Sequence, residues 1–154
     1  MAYKGFPAEK ELLTLVDNCN DRGGHSWGCY FKNSKNQLDL LIKGSGFMPF
    51  DILKSIYLNF DLCIGISRLS TTYITSLEHS QPFNVAGKYA VHNGVVMSYK
   101  GNGLDSLEVF NAIEQGEEIG ALIWIENDQI KYHEDLIKIY KHTNKVLISS
   151  KKLK

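Results

Sequence analysis

Cysteine, long apolar runs and an excess of either charge are what this chain has little of, and each scarcity excludes something. Cys19, Cys29 and Cys63 are the three cysteines of 154 residues. Their odd count and wide spacing fit neither a disulfide scaffold nor a zinc motif, and they suit the reduced thiols of a cytoplasmic protein. No run approaches the roughly 18 apolar residues of a membrane-spanning helix. The opening MAYKGFPAEKELL lacks the apolar stretch of a secretory leader. Seventeen basic residues balance seventeen acidic ones, so no anionic membrane or nucleic acid is called for as a partner. Lys88 and Lys100 do not make a nucleic-acid face. His25, His92, His133 and His142 show no metal-ligand spacing. Asp39, Asp51 and Asp61 form no telling carboxylate pair. Gly44-Ser45-Gly46 lacks the lysine and hydroxyl residue of a phosphate loop. The expectation is therefore no metal and no cofactor. Repeats, linkers and low-complexity segments are absent as well, so residues 1–154 are read as one domain.

What is present is ordinary globular chemistry, 44% hydrophobic and 22% charged. Pro7 followed by AEKELLTLVDNC predicts a helix, with Glu9 and Glu11 at the positive end of its dipole and Leu12, Leu13, Val16 and Cys19 as its apolar face. The helix should stop near Arg22-Gly23-Gly24. Strands are predicted at residues 27–32, 38–43, 61–69, 88–92 and 95–99, and in the runs ALIWIE, QIKYHE, LIKIYK and KVLISS. Short helices are expected over 49–58 and 104–115, and a loop over 70–83. One early helix and many strands make an α+β fold, with sheets that need helices to cover them.

A few residues could carry chemistry. Arg68 ends the apolar run DLCIGISRL, and its planar fork suits a carboxylate, with Thr71 adding a hydroxyl; a surface ion pair is the plainer role. Asp105 stands at the mouth of a helix, where it can cap the helix or face an ammonium. In YAVHNGVVMSY, Asn93-Gly94 between two apolar runs is a strong hairpin signal. The Asn93 amide and the Gly94 N–H can equally face an oxyanion. His92, just before the corner, reads as a structural hydrogen-bonder. An arginine for a carboxylate, an aspartate for an ammonium and an oxyanion corner together suit an amino-acid amide hydrolase.

These segments resemble the class II glutamine amidotransferase domain, a member of the N-terminal-nucleophile hydrolases. The resemblance rests on ISRLSTT, SQPFNVAGKYAVHNG and LDSLEVF, in the family's order, and on Asp21-Arg22-Gly23-Gly24-His25-Ser26-Trp27-Gly28 upstream. It spans about residues 2–110. It implies a four-layer αββα sandwich and a glutaminase that releases ammonia through a thioester to a partner synthetase. In this resemblance Arg68 holds the glutamine α-carboxylate and Asp105 its α-ammonium. Asn93 and Gly94 stabilise the oxyanion, and Arg22 and Thr71 support.

The family's nucleophile is an N-terminal cysteine whose α-amine, of pKa about 8, serves as base. Ala2 stands at that place here. Tyr3-Lys4-Gly5-Phe6, Leu69 and Thr72 also depart from the family's usual residues. Three readings of Ala2 stand: a Cys→Ala replacement that silences an otherwise complete glutaminase, which is the one adopted; a natural non-catalytic relative that binds an amino acid or a partner protein; and a different or missing first strand.

Overall fold

The computed structural model describes residues 1–69, 81–94, 96–99, 108–133, 137–151 and 153. Its elements in chain order are β1 (Ala2–Lys4), α1 (Glu9–Asn20), β2 (Ser26–Lys32), β3 (Asp39–Ser45), α2 (Phe50–Ile56) with a 3₁₀ turn (Tyr57–Asn59), β4 (Leu62–Arg68), β5 (Phe83–Val85), β6 (Lys88–Asn93), α3 (Val109–Glu114), β7 (Ala121–Glu126), β8 (Gln129–His133), β9 (Lys138–Lys141) and β10 (Val146–Ser149). The strands form two antiparallel sheets, one of order β3-β2-β4-β1-β10-β9 and one of order β5-β6-β7-β8. A few helices with two antiparallel sheets is the mixed composition the sequence pattern predicts.

The strand most easily missed is β1. Its three residues are too few to show a period, yet it lies between β4 and β10, pairing Ala2 with Ile64 and Ile148 and Tyr3 with Cys63 and Leu147. Alternation then divides its side chains. Met1 and Tyr3 join Leu12, Leu15, Val16, Leu53, Trp27, Cys29 and Phe31 in the core shared with α1 and α2. Ala2 joins Tyr30, Leu62, Ile64 and Ile66 of the first sheet and Val91, Ile123 and Ile125 of the second in a core drawn from both sheets. A third core sets Ala90 and Leu122 of the second sheet with Val109 and Ala112 of α3. Burial on both faces explains why β2 and β4 read as continuous apolar runs rather than alternating ones. Tyr30 stacks on Tyr89 across the two sheets, centroids 3.8 Å apart.

Helix α1 begins after Ala8, whose N–H is accepted by Glu11 at 2.8 Å. This is half of a capping box that alanine cannot complete from its own side. Its buried residues are Leu12, Leu15, Val16, Asn18 and Cys19. Leu13, expected on that face, is exposed instead, one position off the i, i+3, i+4, i+7 stripe. The polar members of the buried face are tied down: the Asn18 amide donates to Ser149 Oγ at 2.9 Å. The thiols of Cys19, Cys29 and Cys63 are free and buried.

Two expectations are corrected. Of the predicted strand over 95–99, residue 95 lies outside the described residues and 96–99 are not strand, since Tyr99 N–H turns back to Val96 O at 3.1 Å and Val96 sinks into the third core. Asn93-Gly94 is not a hairpin turn either: β6 stops at Asn93 and its partners are β5 and β7. The tight hairpins lie elsewhere, at Ala86-Gly87 (φ 52° and 82°) between β5 and β6 and at Asn127-Asp128 (φ 52° and 58°) between β7 and β8. Two successive left-handed residues match the twist of paired strands. Of the predicted helix over 104–115, the described part is α3; residues 100–107 lie outside the described residues. Among the described residues no helix is long and apolar enough to cross a membrane.

Candidate functional site

The site begins where α1 runs out. Arg22 N–H bonds Cys19 O at 3.2 Å and Gly23 N–H bonds Asn20 O at 3.2 Å, which curls the chain back over the helix end. The segment then joins β2, where His25 N–H donates to Arg68 O at 3.1 Å and Ser26 pairs with Arg68. Asn20 binds this corner together. Its amide donates to Met48 O, and its side-chain oxygen accepts from Met48 N–H and from the buried Ser67 hydroxyl. Two arginines distant in sequence are thereby brought near each other. Burial lowers the Arg22 pKa from its ordinary value and the positive charge of Arg68 adds to that, while Cys19 opposes it.

The opposite wall is the end of β6. Its position is set by Gln81, a buried side chain that behaves as a strand partner. Gln81 Nε2 donates to His92 O at 2.9 Å, and His92 N–H donates to Gln81 Oε1 at 2.5 Å. The His92 ring is buried with Nε2 2.7 Å from Ile119 O, a bond that fixes the ring in place. The backbone at Gln81 also touches the first sheet: a Cβ on Gly28 of β2 would lie 1.9 Å from Gln81 O. Glycine at 28 is what lets the second sheet's lead-in segment approach a central strand of the first.

So placed, Asn93 meets Arg22. Arg22 Nη2 donates to Asn93 Oδ1 at 2.5 Å. The bond commits the carboxamide oxygen to the guanidinium and turns the NH₂ end away from it, as a donor. Beside the pair is a small cavity, 40 Å³, lined by Met1, Arg22, Gly65, Ile66, Val91, Asn93, Ala121, Ile123, Ile137 and Ser150. That is room for a few waters rather than an amino acid. Among the described residues no carboxylate lines it. The Met1 amine donates to Gly65 O at 2.8 Å and faces Cys19 Sγ at 3.6 Å.

Of the residues singled out from the sequence, Arg22 and Asn93 are in contact and Arg68 is close to Arg22. Gly94 follows Asn93 and is exposed, outside the cavity lining. Ala2 does not line the cavity. Its side chain is wholly buried in the core between the sheets, and the lining residue at the head of β1 is Met1, one position earlier. Thr71 and Asp105 lie outside the described residues. Sequence reasoning did not single out Met1 or the clamp made by Gln81. The sequence held little signal for Gln81, which follows the polar Glu78-His79-Ser80; the need of a buried amide for partners shows only once the fold buries it.

No protein-family model matches the chain, and no curated protein matches it in sequence. Its fold is similar to that of the glutamine phosphoribosylpyrophosphate (PRPP) amidotransferase from B. subtilis, in a structure complexed with ADP and GMP. The TM-score is 0.62 at 13% identity, over 97% of this chain and 41% of that one. At that identity the likeness is one of fold, and this chain spans less than half the length of the enzyme it matches.

Proposed function

We propose, from that likeness and the Arg22–Asn93 contact, that the chain is a glutaminase-type domain of the class II amidotransferases, folded as a four-layer αββα sandwich. The observation that carries the reading is the hydrogen bond from Arg22 to Asn93 over a cavity headed by Met1. It joins two residues that the family resemblance implies for one site, and it orients an amide donor beside the start of β1. Arg22, Arg68 and the Met1 amine give this region positive charge, which suits the carboxylate of an amino-acid substrate. In the reaction a thiolate at the chain's start attacks the glutamine side-chain amide carbon. The oxyanion is met by the Asn93 NH₂ and the Gly94 N–H. The α-amine passes the thiol proton to the departing ammonia, and water cleaves the thioester to glutamate. Ammonia then goes to a partner synthetase. Thr71 and Asp105 retain their proposed supporting and ammonium-binding roles. The setting is cytoplasmic.

Among the described residues no thiol lines the cavity. Because Met1 rather than Ala2 lines it, a working thiol belongs in the place of Met1. Two variants separate the registers: Ala2→Cys, and a chain with one cysteine placed between the initiator methionine and Ala2, both with the methionine removed and checked by mass. The second should release glutamate and ammonia from glutamine. Adding Asn93→Ala to it should lower the rate about 100- to 1,000-fold, the usual loss for one oxyanion donor. No release from either cysteine form would end the glutaminase reading.

A second reading is supported by the burial of Met1, 7% exposed with its amine already bonded. In it the domain is a non-catalytic binder of glutamine or of a partner protein. Calorimetry on the unaltered chain, with glutamine, asparagine and glutamate, distinguishes it: glutamine binding lost in Arg68→Ala, with no turnover in either cysteine form, would favour this second reading.

A further inference from the structure

The outer strand of the six-stranded sheet has a symmetry of its own, independent of the site. Among the described residues strand β3 is terminal in the sheet order and reads Asp39-Leu40-Leu41-Ile42-Lys43-Gly44-Ser45. It is apolar at its centre, and Leu38, Leu40 and Leu41 are exposed at 64%, 37% and 41%. Exposed apolar edges are uncommon because they template pairing with another chain.

The backbone directions follow from two bonds. Asn33 N–H donates to Leu38 O, and Gly46 N–H to His25 O, and both pairs continue the β2–β3 register. Hydrogen-bonded pairs recur at every second residue of an antiparallel ladder. Residues 38, 40, 42, 44 and 46 therefore turn their backbone groups toward β2, and Asp39, Leu41, Lys43 and Ser45 turn theirs outward. Asp39 and Lys43 are equidistant from Leu41 and of opposite charge. Antiparallel pairing of two copies about Leu41 sets Leu41 against Leu41, Leu40 against Ile42, and each Asp39 against the other copy's Lys43, using the outward-facing backbone groups. Directly opposed side chains share a sheet face, so both charge pairs are in reach. Asp39 Oδ2 accepts from the Tyr30 hydroxyl at 3.0 Å, which leaves Oδ1 for the lysine.

We propose that β3 is a homodimer interface, two copies of this chain pairing antiparallel about Leu41 so that Asp39 and Lys43 form reciprocal ion pairs. A closed two-fold contact of this kind is self-complementary. One seven-residue strand buries less than the roughly 1,200 Å² of a standard interface, so the dimer is weak and concentration-dependent.

Sedimentation velocity on the full chain over a concentration series tests it, with circular dichroism confirming that each variant is folded. The unaltered chain should move from monomer to dimer as concentration rises. Asp39→Lys and Lys43→Asp should each weaken the dimer roughly ten-fold or more, since each sets like charges opposite one another twice. An equimolar mixture of the two should regain it, because every lysine then meets an aspartate, and so should the double swap Asp39→Lys with Lys43→Asp. A chain that stays monomeric throughout overturns the proposal, as does a dimer indifferent to the single substitutions or weakened by them and not regained in the mixture.

Discussion

Gly94→Ala should lose about 3 kcal/mol of stability or more, enough to remove a large fraction of what a domain of this size has. The added Cβ would lie 1.9 Å from Ile119 O and 2.9 Å from Ile119 C, both backbone atoms, at a φ of +157°. The approach is reciprocal: Gly120, at φ +88°, would place a Cβ 2.4 Å from Asn93 O. Two glycines thus lie back to back where β6 ends and β7 begins, and neither strand can yield without disturbing the β6–β7 ladder from Tyr89–Ile125 to Asn93–Ala121. Gly116→Ala is the control. Gly116 also has positive φ, 77°, but an added Cβ there would meet no atom within 4 Å, so only the conformational term of about 1 kcal/mol applies. Urea unfolding of the two variants measures the difference. Equal losses would mean that the crossing at Ile119 is looser than described.

The second large effect belongs to Gln81→Leu, expected to lose about 2–6 kcal/mol. Leucine matches the buried volume but makes neither bond to His92, so a backbone N–H and a backbone C=O are left without partners in the interior, each at about 1–3 kcal/mol. Unfolding measures the loss, and amide exchange locates it: protection should fall first at His92 and Asn93. Gln81→Glu keeps the acceptor for His92 N–H and sets a second oxygen against His92 O, and it should be worse than volume alone suggests. A loss in Gln81→Leu no larger than that of an exposed glutamine, such as Gln129, would show that the side chain is not a strand partner.

Both sites mark where reading the sequence stops. The strands β2, β4, β7, β8, β9 and β10 are legible because β-branched and aromatic residues recur in runs bounded by turn residues. Helix α1 is legible from its charge placement, although Leu15 rather than Leu13 completes its buried stripe. The short strand β1 has no periodicity to detect, and its place between β4 and β10 is set by long-range pairing. Asn93-Gly94 reads as a turn because that preference is local. The structure uses the same glycine for contact with a residue 25 positions later, which no window of sequence reports. The left-handed corner that does turn β5 into β6 carries Ala86, an unfavoured residue there, and so gives little signal. At the site, residue chemistry points to Asn93, and Arg22 comes only from the resemblance of the segment 21–28. Neither supplies the register that puts Met1 at the cavity and Ala2 in the core, because a one-residue step reverses which face a strand side chain meets.

The bare backbone of Gly28 has a consequence for the site some distance along the strand. One wall of the site, Arg22, lies in the connection from α1 into β2, the strand that contains Gly28, and the other, Asn93, is carried by the segment that Gln81 holds. The place where those two bodies touch, atom on atom, is a gauge block: it sets the gap across which guanidinium and carboxamide meet. A methyl group inserted there would act as a shim, and a bond that tolerates only tenths of an ångström would register it before the rest of the molecule did.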